Sequence, residues 1–226
     1  MLIAAAVCPH PPLLVPDLAG AAAHELDPVR AACDRAVRLL AAATPDRLVV
    51  VGPGGRTARH PADAAGGLAP YGVDLRVGVG PAVLPLALTV GRWLAERNGI
   101  EPAGFVELAA DAGPRECRAA GAELAASAPR VAALVMGDGS ARRTERSPGR
   151  FDDRAVGFDD AVDAALAAGD VAALAGLDPD LARELMAAGR PAWQALAGAA
   201  EGAGLAAERL AYEAPYGVGY FVALWR

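Results

Sequence analysis

The order of apolar and alanine-rich segments in this 226-residue chain predicts an α/β fold. It is a mostly parallel central sheet with helices on both faces, a helical insert in the C-terminal half and a closing antiparallel strand pair. Three observations carry the prediction. Short apolar runs alternate with helix-length, alanine-rich ones as far as Met136, which is the signature of strands joined by crossover helices. Asp152 to Ala203 then reads almost wholly as helix, and two more strand-like runs close the chain.

The elements follow in order. Leu2 to Val7 is a continuous apolar run, the mark of a buried strand, and Pro9, Pro11 and Pro12 forbid its continuation. A helix is expected within Asp17 to Ala43, a second strand over Arg47 to Gly52, and a third over Val73 to Val79. Helix is expected again over Leu84 to Arg97 and Arg115 to Ser127, alternating with strands at Gly104 to Leu108 and Arg130 to Met136. Within the helical insert, Gly169-Asp170, Gly176 to Pro179 and Gly189 to Pro191 mark breaks, since Gly and Pro punctuate helices. Glu208 to Tyr212 and Val218 to Leu224 read as an antiparallel pair across the turn Ala214-Pro215-Tyr216-Gly217.

The chain is 54% hydrophobic but only 5% aromatic, so its core must be built from Ala, Val and Leu in close helix packing. Its length and mean hydropathy of +0.27 suit one domain over residues 1–226 with a sizeable core. No Lys occurs, and Arg supplies all 21 cationic side chains. A net charge of −6 argues against a nucleic-acid partner, because phosphate affinity needs clustered positive charge. The one basic cluster, Arg142, Arg143, Arg146 and Arg150, is broken by Glu145. Cys8, Cys33 and Cys117 are odd in number and widely spaced, which indicates neither a disulfide framework nor a CxxC metal site. No apolar run reaches the roughly 20 residues of a membrane span, and no secretory leader is apparent. The expectation is a cytoplasmic protein without a membrane partner.

Candidate chemistry gathers at one sheet edge. His10 should sit at the carboxyl end of the first strand, where open α/β sheets bind ligands. The long loops Pro53 to Gly72 and Gly137 to Arg154 should leave the same edge, and long loops in compact domains are often functional. The final turn brings Glu213 toward that rim. The candidate constellation is therefore His10, His60, Asp138, Ser140 and Glu213. Each has a plainer reading: His10 as a loop hydrogen-bonder, His60 as a solvated loop residue, Asp138 as a turn cap. Gly52-Pro53-Gly54-Gly55 lacks the Gly-Lys-Ser/Thr of a phosphate loop, and Gly137-Asp138-Gly139-Ser140 lacks the GxSxG of an esterase.

Four segments in order carry a family resemblance: Pro9-His10-Pro11-Pro12-Leu13-Leu14-Val15-Pro16, Val49-Val50-Val51-Gly52-Pro53, Met136-Gly137-Asp138-Gly139-Ser140 and Tyr216-Gly217-Val218-Gly219-Tyr220. Together they resemble the class III extradiol ring-cleavage dioxygenase superfamily, which includes the protocatechuate 4,5-dioxygenase catalytic subunit and the Memo-like proteins. The resemblance implies a non-haem Fe(II) centre held by two histidines and a carboxylate, with open positions for a catechol and dioxygen. Imidazole and carboxylate are suitable ligands for Fe(II). By resemblance His10 aligns with the first ligand and Glu213 matches the late carboxylate. The family's second histidine follows the second strand directly, where this chain has Gly54-Gly55, so His60 is the substitute. The family's acid/base histidine follows the serine of the fourth loop, and here Ser140 precedes Ala141. General acid/base help, worth about 10²–10⁴ in rate, must then come from another group. Ser140 and Asp138 are the candidate catalytic side chains.

The expectation is an extradiol dioxygenase-like protein with a degenerate or altered iron site and a retained pocket for a small aromatic molecule. Two alternatives stand beside it. One is an active Fe(II) dioxygenase using His10, His60 and Glu213; the other is a non-catalytic assembly protein whose alanine-rich helices bury a partner surface. The resemblance also implies a homo-oligomer.

Overall fold

A computed structural model describes residues 1–226. The chain forms β1 (Leu2–Cys8), α1 (Pro16–Ala19), α2 (Asp27–Ala42), β2 (Arg47–Gly54), β3 (Ala58–His60), β4 (Gly66–Gly67), β5 (Arg76–Val77) and α3 (Leu86–Arg97). It continues with β6 (Gly104–Ala109), α4 (Pro114–Ala126), β7 (Val131–Met136), α5 (Arg154–Ala168), α6 (Val171–Ala175), α7 (Pro179–Glu184), α8 (Arg190–Ala200), β8 (Ala207–Glu213) and β9 (Tyr220–Trp225). Seven strands make one sheet in the order β3-β6-β2-β7-β1-β9-β8. The four adjacent strands β6, β2, β7 and β1 are parallel, while β3 and β9 run against their neighbours. The fold is thus the mixed α/β architecture the sequence predicts, with β8 and β9 as the closing antiparallel pair. No helix is long and apolar enough to cross a membrane.

Two local expectations are corrected. Val73 to Val79 is not a strand of the main sheet; only Arg76 and Val77 are extended, paired with Gly66 and Gly67 in a separate two-stranded sheet. Gly72 and Gly78 have left-handed φ of 95° and 76°, so the backbone turns at both ends of this apolar stretch. The helix expected within Asp17 to Ala43 is α2, which is preceded by α1 and a 3-10 segment from Gly20 to Leu26, where Gly20 has a φ of 54°. The stretch Pro53 to Gly72 is not one loop, since β3 lies within it as the sheet's edge strand.

Side chains alternate across the sheet and fill two apolar layers. Ala5 and Val7 of β1, Val49 and Val51 of β2, and Ala133 and Val135 of β7 pack under α4, α5 and α8. Ala4, Ala6 and Cys8, with Val50 and Leu134, pack under α2 and α3. The layers hold 30 and 26 buried residues, so neither face is left open. Every residue of α8 is buried. Its Ala-rich sequence lets it approach α4 until backbones touch: a Cβ at Gly121 would lie 1.8 Å from the Ala195 carbonyl oxygen, and one at Gly198 would lie 2.1 Å from that of Arg118. Ring-to-ring contacts form one cluster, in which Phe221 meets Trp193 edge-on at 5.6 Å and stacks on Tyr212 at 5.0 Å.

This seam gives opposite expectations for one substitution at two helix positions. Gly121→Ala should lower stability by about 1–3 kcal/mol through overpacking, outweighing the ~1 kcal/mol of helix propensity that Ala contributes. Gly157→Ala in α5, where a Cβ meets nothing within 4 Å, should instead stabilise by about 0.5–1 kcal/mol. Urea denaturation of both variants checks the pair of signs.

Candidate functional site

The chain leaves β1 toward α2 on one face of the sheet and leaves the adjacent β7 toward α5 and α8 on the other. Neighbouring strands whose exits diverge open a crevice at their carboxyl ends, the usual ligand position in α/β sheets. His10 and Asp138 occupy that point. The prolines after Cys8 stop the strand, and the His10 backbone N–H donates to Asp138 Oδ1 at 2.7 Å. Gly137 N–H donates to the Cys8 carbonyl at 2.9 Å, so β7's exit is stitched to β1's. The Asp138 carbonyl accepts from Gly189 N–H at 2.8 Å, which ties the same residue to the start of α8.

Two buried ring nitrogens flank this segment without partners. His10 Nδ1 lies 3.6 Å from Asp138 Oδ1, beyond a good hydrogen bond, and makes none. Trp193 Nε1 is also unpartnered, and a Cβ at Gly137 would lie 2.8 Å from it. A buried polar group left unsatisfied costs about 1–3 kcal/mol, and native proteins keep few of them. Burial also lifts the Asp138 carboxyl above its ordinary 3.8, with the His10 contacts pulling the other way less strongly. Burial, and then the Asp138 charge, raises the phenol of Tyr220, which enters β9 beside this point.

Ser140 is positioned differently from its sequence expectation. It is fully buried; its hydroxyl donates to the Leu185 carbonyl at 2.7 Å and accepts from Arg142 N–H at 3.1 Å. A hydroxyl committed on both sides and closed to solvent is a structural tie. Its backbone N–H donates to Asp159 Oδ1 at 2.8 Å. Asp159, in α5, is the residue that sequence reasoning missed. Its other oxygen pairs with Arg143 at 2.8 Å, and Arg143 also donates to the Tyr212 hydroxyl at 2.6 Å. A Cβ at Gly139 or Gly219 would strike this carboxylate, at 2.7 and 2.3 Å. The glycine spacing of the two loops was the available signal, but nothing in a single sequence points those glycines at α5.

His60 and Glu213 are not brought to His10. His60 ends β3, where Nε2 donates to Glu107 Oε2 at 2.8 Å. Between β3 and β1 lie β6, β2 and β7, so four strand spacings of ~4.8 Å, about 19 Å, separate the two strands. Glu107 also explains the glycine that ends β2: a Cβ at Gly54 would lie 2.3 Å from Glu107 Oε1, so the carboxylate fills the space of a side chain there. Glu213 ends β8 at the same sheet edge as His10, but is exposed, with β9 and its buried Tyr220 between. No three His, Cys, Asp or Glu side chains form a group able to hold a metal. His10 retains a free ring nitrogen, yet the residues present do not fit a two-histidine, one-carboxylate iron centre. Clefts of about 560, 490, 440 and 280 Å³ are lined by residues other than His10 and Asp138.

The disfavoured ionisation of Asp138 has a pH signature. A folded-state pKa above the unfolded value means the native state holds its proton more tightly, so stability falls as pH rises from 3.8 through the native value. Asp138→Asn keeps an acceptor for His10 N–H and removes the buried charge. It should melt above the parent at pH 7, by about 2–4 °C for each 1 kcal/mol relieved, with the gap closing toward pH 4. Thermal melts across that range test this; a gap independent of pH would mean the ionised form is not disfavoured.

No family model matches the chain, and no curated protein matches it. Among solved structures it is similar to the uncharacterized protein JW3007 from Escherichia coli K12, with a TM-score of 0.54 and 14% identity over 98% of both chains. That similarity shows a shared fold.

Proposed function

We propose that this chain is a divergent class III extradiol dioxygenase-like protein that keeps the ligand site at the carboxyl ends of β1 and β7 and has lost the iron-holding set. The observation that carries this reading is His10 at the strand switch point, with a buried, unpartnered Nδ1 beside a carboxyl whose ionisation burial disfavours. Such a pair suits the recognition of a hydroxyl or other polar group on a small ligand, expected by resemblance to be aromatic. Gly54 and Ala141 stand where the family has side chains for iron and for proton transfer, and His60 is engaged by Glu107.

A second reading, a non-catalytic assembly protein, is favoured by closure of the rim: His10 is 6% exposed and Ser140 0%. Catechol titrated into the ¹⁵N-labelled chain separates the two. Shifts at His10 and Asp138 support the small-molecule site, whereas no shifts together with a stable self-association interface above about 1,000 Å² support assembly.

Anaerobic titration with Fe(II), followed by oxygen and a catechol, tests the loss of iron chemistry. The expected outcome is no stoichiometric iron binding and no ring-opened product, in the parent and in His10→Ala alike. Ring opening by the parent that disappears in His10→Ala and Glu213→Ala would establish an active dioxygenase instead.

A further inference from the structure

We propose a second ligand site, outside the His10 rim and independent of the reading given to it: a cleft for a small carboxylate with an apolar body, closed by Arg190. The cleft, of about 280 Å³, lies where the chain leaves β6 at Ala110, against α7 and the start of α8. That volume is just below the roughly 300–1,000 Å³ typical of small-molecule pockets, so its occupant is small. Ala110, Ala182, Met186 and Ala188 give it apolar walls, and its charged lining residues are Arg183 and Arg190. No carboxylate lines it; Asp111, next to Ala110, is exposed and outside the lining.

Arg190 is the anomaly that points to an anion. It is only 3% exposed and makes no ion pair, although buried charges are ordinarily paired. Its Nη1 donates to the Ala112 carbonyl and to Gln194 Oε1, and its Nη2 donates to the Ala110 carbonyl at 2.8 Å. These neutral acceptors hold the guanidinium in place without neutralising it. Of its five N–H donors, Nε–H and one Nη2 hydrogen make no protein bond. Nε and Nη2 form the side of the guanidinium that receives a carboxylate through two parallel bonds.

The surroundings add to the positive field. Arg190 is the first residue of the 11-residue α8, whose first turn carries no acidic residue and whose N-cap, Gly189, offers no side-chain acceptor. The helix dipole therefore places uncompensated positive charge at the same point. Arg183 is held only by a surface pair with Asp180, the weakest class of ion pair, and is free to turn toward a bound anion. An apolar wall with a buried cation at its end selects a carboxylate bearing a hydrocarbon or aromatic body over a bare anion.

The probes are benzoate and its uncharged isostere benzamide, titrated into the ¹⁵N-labelled full chain. Benzoate is expected to shift amide signals at Ala110–Ala112 and at the start of α8, with benzamide and inorganic phosphate at least tenfold weaker. Arg190→Lys, which keeps a cation without the two-pronged edge, should weaken benzoate about tenfold. Ala188→Trp fills the cleft from an exposed wall position, leaves the core untouched, and should abolish the shifts, while His10→Ala should leave them unchanged. Equal binding of benzoate and benzamide, phosphate binding as tight as benzoate, no shifts at all, or shifts that survive in folded Ala188→Trp would each overturn the site.

Discussion

A buried carboxylate, Asp159, is the interaction on which the carboxyl edge of the sheet depends. It takes the Ser140 backbone N–H on one oxygen and the Arg143 guanidinium on the other. Arg143 passes the connection to Tyr212 on β8, which stacks on Phe221 of β9. One side chain of α5 thus fixes the exit of β7, the entry of β9 and the edge strand at once. Burial raises its pKa, against the pull of Ser140 and Arg143. Removing one member of such a pair typically costs about 3–5 kcal/mol, because the other charge is left stranded. The glycines at 139 and 219 are the geometric counterpart of this arrangement, since any larger residue would occupy the carboxylate's place.

The frame built this way sets His10 and Asp138 between two strands whose connections part to opposite faces. It also keeps the other candidate ligands away. Sheet order puts His60 four strands from His10, and Glu107 engages its ring nitrogen while filling the volume over Gly54. The exchange is local: a carboxylate reaching in from β6 stands where a side chain from β2 would project. The separation of His60 from His10 follows from strand order and from this engagement.

Much of the scaffold was legible in the sequence because hydrophobic period and Gly/Pro punctuation are local signals. β1, β2, β6 and β7 lie where continuous apolar runs predict them, and the helical breaks at Gly169, Gly176 and Gly189 each separate two helices. The Val73 to Val79 run misled because its apolar content is that of a strand while Gly72 and Gly78 turn the backbone at either end. At the site, the placement of His10 and Asp138 at one rim followed from strand ends alone. The roles of Asp159, Glu107 and Arg190 did not, since each depends on contacts 19 to 80 residues away in the chain. Ser140 shows the same limit, its hydroxyl being claimed by a carbonyl 45 residues on.

The alanine and glycine seam between α4 and α8 has a consequence for how the molecule is ordered. Ala and Gly give up no rotamers on burial, whereas a long side chain forfeits up to about 2 kcal/mol of torsional freedom. A helix buried along its whole length and made largely of such residues is therefore held in register by main-chain shape. It has little capacity to absorb an intruding methyl group by side-chain rearrangement, so this layer should behave as a rigid plate against which the loops of the opposite edge are set.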